Sequence, residues 1–145
     1  MTAKEFLRRG YRIDQHIESK RSEIERLDAL AKSVTVGYGR EQVSRSRNVH
    51  SSEDAVVNLI NARDELHTLV NQYLAVKADI RAVIDLVADA DCRMLLEYRY
   101  LSLKSWESIM DNMDISRSYM FKLHKKALQM VDTVLATRDS LWEKQ

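Results

Sequence analysis

Residues 105–128 read SWESIMDNMDISRSYMFKLHKKAL, and the spacing within this stretch decides the fold. Ser105 is placed to cap a short helix, WESIMDNM, that turns Trp106, Ile109, Met110 and Met113 inward. Asp114-Ile115-Ser116 then reads as a tight turn, with Ser116 capping a further helix from Arg117 towards Thr137 or beyond. That helix repeats apolar residues at Met120, Leu123, Ala127, Leu128, Val131 and Leu135. A short helix, a brief turn and a capped second helix is helix-turn-helix spacing. In that geometry the second helix lies in the major groove and its first residues meet base edges.

A 3.6-residue wheel leaves Arg117, Ser118, Phe121, Lys122, Lys125 and Lys126 outside the apolar stripe or on its flanks, with Tyr119 near the tip. Their chemistry suits DNA. An arginine at 117 can pair bidentately with guanine N7 and O6, Ser118 and Tyr119 can donate to bases or phosphates, and Phe121 can pack on thymine methyls. Lys122, Lys125 and Lys126 suit phosphate neutralisation, which adds affinity with little sequence information. The candidate DNA-binding set is therefore Arg117, Ser118, Tyr119, Phe121, Lys122, Lys125 and Lys126.

Upstream, the rhythm belongs to longer helices. A short helix is expected from about Asp91 to Tyr100, with Met94, Leu95, Tyr98 and Leu101 as its apolar face. Before it run two heptad-like seams. The first is Phe6, Gly10, Ile13, Ile17, Lys20, Ile24, Leu27, Ala31 and Val34, on a helix from Thr2 to about Ser33 opened by a Thr2–Glu5 capping box. The second is Val56, Leu59, Arg63, Leu66, Val70, Tyr73, Lys77, Ile80, Ile84 and Val87, on a helix beginning at Ser51 or Ser52. Between them, at about 34–50, lies a basic loop with two glycines and Arg40, Arg45 and Arg47, candidate accessory phosphate contacts. The expected fold is all-α: a long antiparallel, coiled-coil-like helical hairpin over 1–90, then a helix-turn-helix module over 91–145 with an extended last helix.

Composition agrees with this reading. The 145 residues hold no proline and three glycines, too few turn residues for a β-rich chain. The net charge of +1 hides an uneven distribution: +4 over residues 1–50, −5 over 51–91, +3 over 92–130 and −1 over 131–145. Basic segments thus flank an acidic helix, and a uniformly basic coat for DNA or an anionic membrane is excluded. The single cysteine, Cys92, excludes an intrachain disulfide and a multi-cysteine zinc site and fits a reducing compartment. The four histidines have no partners among themselves at helical spacing, so no metal and no cofactor are expected. His124 is expected to flank the DNA-facing surface or to sit in solvent. No phosphate loop, nucleophile elbow or metal-ligand motif supports an enzyme. No apolar run approaches the roughly 18 residues that cross a bilayer. The expectation is a cytoplasmic protein without membrane contact.

Over residues 95–131 the sequence resembles region 4 of bacterial sigma-70-type factors, the part that reads a promoter element. The resemblance lies in Trp106-Glu107-Ser108-Ile109, in Ile115 to Leu123 and in Lys126-Ala127-Leu128. It implies base-reading positions at Arg117, Ser118, Tyr119, Phe121 and Lys122. The sequence departs from the pattern at Met110 and Asp114, where a small residue and a glycine are usual, and at Phe121, where the usual contact is polar or basic. Nearly the whole chain resembles an uncharacterised phage and prophage family of Gram-positive bacteria, similar to ArpU- and RinA-type phage transcription regulators. The matching segments are MTAKEFL, RNVHSSEDAVVNLI and LLEYRYL with the SWESI that follows. That resemblance implies a sequence-specific regulator of phage late genes, acting on double-stranded DNA with the host RNA polymerase; the two heptad seams lead to the expectation of a homodimer. Two alternatives stand beside it: a protein-interaction adaptor that binds polymerase and keeps the helix-turn-helix only as a fold, and a small-terminase-like DNA-packaging component.

Overall fold

The capping box at the first helix is reciprocal: the Thr2 N–H donates to Glu5 Oε2 at 2.8 Å and the Glu5 N–H to Thr2 Oγ1 at 3.2 Å. From that start, a computed structural model of the chain describes the backbone of residues 1–37 and 45–144 and the side chains of 1–33 and 53–144. The described residues are all-α. Helix α1 spans Ala3–Gly37, α2 Arg45–Ile84, α3 Ala90–Leu96, α4 Trp106–Met113 and α5 Arg117–Glu143, with a π-helical turn over Glu97–Leu101 following α3.

Both long helices exceed the expected bounds. Helix α1 continues four residues past Ser33, and α2 already runs at Arg45 instead of starting at Ser51 or Ser52. The expected loop at 34–50 is corrected accordingly, because helical backbone covers 34–37 and 45–50. The reason is that nothing in 45–52 breaks a helix. Serine and aspartate permit a start without imposing one, whereas Gly and Pro are absent there. Arg40 lies outside the described residues, as do the side chains of Arg45 and Arg47, whose backbone is part of α2.

The chain divides into two units, Met1–Arg12 with Tyr73–Gln145, and Ile13–Gln72. The expected boundary near residue 90 falls inside the first of them. In the second unit the α1 seam is as expected: Ile13, Ile17, Lys20, Ile24, Leu27 and Ala31 are its less exposed positions. Lys20 joins Glu65 and Glu23, and Asp28 joins Lys32 at 2.9 Å. The α2 seam is corrected by one residue at alternate steps. Ala55, Leu59 and Ala62 are buried, while Val56 and Arg63 are exposed. Anchoring the seam on the large apolar residues Val56, Leu59 and Leu66 put Arg63 at an intervening step. The methyl groups of Ala55 and Ala62 fill those steps instead, and the guanidinium stays in water.

The first unit contains the core. Ala3, Phe6 and Leu7 from α1 bury with Ile80, Val83, Ile84 and Val87, with Leu95 and Leu96 from α3, with Ile109 from α4 and with the α5 stripe Met120, Leu123, Ala127, Val131 and Leu135. Polar clasps fix its edges. Asp132 accepts the Ala3 N–H at 2.8 Å. Asp79 takes Arg9 and Arg138, each at 2.7 Å, and the two guanidiniums hold its carboxyl below the usual carboxylate range against the opposing effect of burial. Cys92 is fully buried, and burial pushes its thiol up to about 11, so the neighbouring Arg93 does not activate it. Among the described residues no helix is long and apolar enough to cross a membrane.

Candidate nucleic-acid interface

Helices α4 and α5 are set by caps at both joints. The Ser108 N–H donates to Ser105 Oγ and the Tyr119 N–H to Ser116 Oγ, both at 3.2 Å. Helix α4 stops at Asp114, which adopts the left-handed conformation with φ 53° and ψ 53°. Asp tolerates that region because its short polar side chain bonds locally. The Ile115 N–H returns to the Met110 carbonyl at 3.2 Å, which closes the helix end and aims the chain into α5. Ile109 at the centre of α4 is fully buried, and Trp106, Met110, Met113 and Ile115 pack against the same core.

The seven candidate residues of α5 are all exposed, and the buried stripe runs on the opposite side of the helix. At about 100° per residue, Ser118, Lys122 and Lys125 point farthest from the stripe. Arg117 and Phe121 lean to the α4 flank, and Tyr119 and Lys126 to the other. Among the described residues, the side chains of Arg117, Lys126 and Phe121 meet partners on other elements. Arg117 lies 3.5 Å from Glu107 in a loose, exposed pair. Lys126 bonds Asp89 at 3.0 Å. Phe121, 45% exposed, packs its ring against Trp106 with centroids 5.7 Å apart. Asp89 also caps α3 by accepting the Cys92 N–H at 2.9 Å; that bond and Lys126 hold its carboxyl down to about 2. Lys126 therefore fastens α5 to the α3 cap, whereas Lys122 and Lys125 have no ion-pair partner among the described residues.

The α4 flank carries an aromatic group that the sequence did not announce. Trp106 meets His124 edge-on at 4.9 Å, and the Arg99 guanidinium lies 4.3 Å over the Trp106 ring. Tyr100 and His124 share a hydrogen bond at 2.8 Å between the hydroxyl and Nε2. His124 is thus half-buried, which corrects only the alternative that placed it in solvent. Burial, reinforced by the cations of Lys4 and Arg99, pushes the imidazole down to about 4, so it is neutral near pH 7. Burial also raises the Tyr100 hydroxyl. The π-helical turn positions this group. Its extra residue rotates Arg99 onto Trp106 while Tyr100 and Leu101 enter the core, and Leu103 follows in a left-handed conformation with φ 53°. Arg99 donates to the Lys104 carbonyl at 3.0 Å, which fixes it over the ring. In the sequence only the clustered aromatics and arginine of Tyr98-Arg99-Tyr100 hinted at this group.

A family model described as "Protein of unknown function (DUF1492)" matches residues 38–132. The chain belongs to that family. The matched region runs from just before α2 to the middle of α5, so it includes the turn at Asp114 and all seven candidate residues. The first turns of α1, with Lys4 and Arg8, lie outside it. No curated protein and no solved structure matches the chain. Among the described residues no three His, Cys, Asp or Glu side chains gather in a way that would hold a metal ion.

Proposed function

We propose that this member of the DUF1492 family is a sequence-specific DNA-binding regulator of transcription. In this reading α4, the turn at 114–116 and α5 act as a helix-turn-helix, with α5 in the major groove. The observation that carries it is the row of exposed side chains Ser118, Lys122 and Lys125, set opposite the buried stripe of a helix that begins at a capped turn, with the exposed Arg117 beside it on the α4 flank. Arg117 supplies base readout. Its pair with Glu107 is long and exposed, so it opens at little cost. Lys122 and Lys125 neutralise phosphates, and Lys126 contributes only if its bond to Asp89 yields. Helices α1 and α2 form an antiparallel hairpin, which the ion pair of Lys20 with Glu65 within one chain supports, and the hairpin brings two copies together. The resemblance noted above extends the proposal to phage genes, with the host RNA polymerase as partner.

The test is selection from a random duplex pool with purified protein, followed by salt titration of the enriched sequences. A motif with a steep salt slope supports a reader, and two half-sites support a dimer. Arg117→Ala should cost roughly 1–3 kcal/mol on the selected site alone, whereas Lys125→Ala should weaken all sequences alike. Absence of duplex binding at low salt refutes the reading. The exposed Val56, Val57 and Ile60 of α2 favour a second one, a protein-interaction adaptor, which predicts recovery of polymerase without DNA.

A further inference from the structure

A second set of cations lies beside α5, outside the row of side chains just described. It lines a cleft of about 380 Å³ in the first unit. Lys4 and Arg8, one helical turn apart on α1, line it together with Arg99 of the π-helical turn and with Trp106, Phe121 and His124.

Three features mark this cleft as a place for an anion. First, none of the three cations has a carboxylate partner among the described residues. Arg9, Arg138 and Lys126 in the same unit each do. Second, the lining contains no carboxylate, so the three charges act on one volume without local compensation. Lys4 and Arg99 both lie close enough to His124 to add to the lowering of its proton affinity, of which burial is the larger cause. Third, Arg99 is already oriented. Its guanidinium rests on Trp106 and donates to the Lys104 carbonyl, so a ligand would not have to order it.

We propose that this cleft is a phosphate-binding site that carries the DNA interface from α5 onto the first two turns of α1. It rests on the DNA-binding reading given above. Phe121 and His124 belong both to the cleft and to α5, within one turn of Arg117 and Lys125. A duplex whose groove receives α5 therefore brings its flanking backbone to the cleft. Lys4, Arg8 and Arg99 hold a phosphate there and fix the register of the duplex, while the outward row of α5 reads it. On this view Phe121 is a wall of the phosphate site and not a base contact.

The test uses the full chain carrying Trp142→Phe, which leaves Trp106 in the cleft as the sole tryptophan. Binding of a fluorescein-labelled random-sequence duplex is followed from about 50 to 200 mM salt, with Trp106 emission read in parallel. Lys4→Ala/Arg8→Ala removes two of the three cations that hold the phosphate, and with them that one contact. It should lower the salt slope by about 0.9, so that the variant loses about three- to fourfold less affinity across that range. It should also abolish the change in Trp106 emission on saturation. Lys4→Arg/Arg8→Lys, which keeps both charges, should retain both signals, and the helical circular dichroism of each variant controls for folding. An unchanged slope in Lys4→Ala/Arg8→Ala, alongside lost binding in Lys122→Ala/Lys125→Ala, overturns this site and leaves the DNA reading standing. A reduced slope with no response of Trp106 also overturns it, since the charges would then act at a distance. If the parent protein binds no duplex, and only an acidic peptide perturbs Trp106, both readings fall and the cleft is a protein contact.

Discussion

Lowering the pH from about 7 to about 4.5 should destabilise the folded protein through His124. The unfolded imidazole takes up a proton near 6.5, whereas the folded one does so only near 4. Between those values the unfolded chain binds more protons. Stability is therefore full above about 6.5 and falls as the pH drops towards about 4, where this contribution levels off. A fully sealed ring with that shift would account for about 3 kcal/mol. His124 is only half-buried, and solvent screening brings the expected loss to about 1–2 kcal/mol. Asp89 does not blur the window, because its carboxyl is held down from 3.8 to about 2 and its contribution is lost only below the His124 range. The assay is urea unfolding followed by circular dichroism at pH 7 and 4.5, for the parent chain and for His124→Gln. The parent should lose about 1–2 kcal/mol more than the variant across that interval. Equal losses, or an imidazole resonance assigned to His124 that titrates near 6.5, would refute the reasoning from burial and from the nearby cations.

Three further outcomes test the packing. Gly10→Ala should stabilise the chain by about 0.5–1 kcal/mol, because a Cβ there would meet Ile80 at 3.5 Å and Tyr73 at 3.9 Å in ordinary contact while the helix gains propensity; a lower melting temperature would contradict it. Ile109→Ala should cost about 2–5 kcal/mol in urea unfolding, since the side chain is fully buried in the core of the first unit. Ser116→Ala should cost about 0.5–2 kcal/mol by removing the oxygen that caps the Tyr119 N–H, and Ser116→Asp should recover most of it.

Much of this protein follows from rules that act within about four residues. The Thr2–Glu5 box, the Ser105 and Ser116 caps and the left-handed Asp114 all lie where the residue types at those positions put them. Helical periodicity likewise separates Met120, Leu123, Ala127 and Val131 from the exposed Arg117 to Lys126 set, because both follow from one 3.6-residue repeat. The same local rules misjudge α2 at both its start and its seam. A serine that can cap a helix does not have to, and an alanine can fill a seam step as well as a valine if its neighbour leaves only methyl-sized space.

Contacts between distant segments were decided by tertiary structure alone. Nothing near His124 in the chain shows that Tyr100, 24 residues earlier, bonds its ring, or that Lys4 and Arg99 lower its proton affinity. Nor does the string EYRYL announce a π-helical turn, whose added residue lays Arg99 on Trp106. The division of labour among the α5 cations is also invisible in the sequence. Lys125 and Lys126 are adjacent and chemically identical, yet only Lys126 reaches Asp89 on α3. Local propensity and periodicity determined the helices and their outward faces, because both depend on neighbouring residues. Which charges remain free for a ligand depended on which helix ends the packed core brings together.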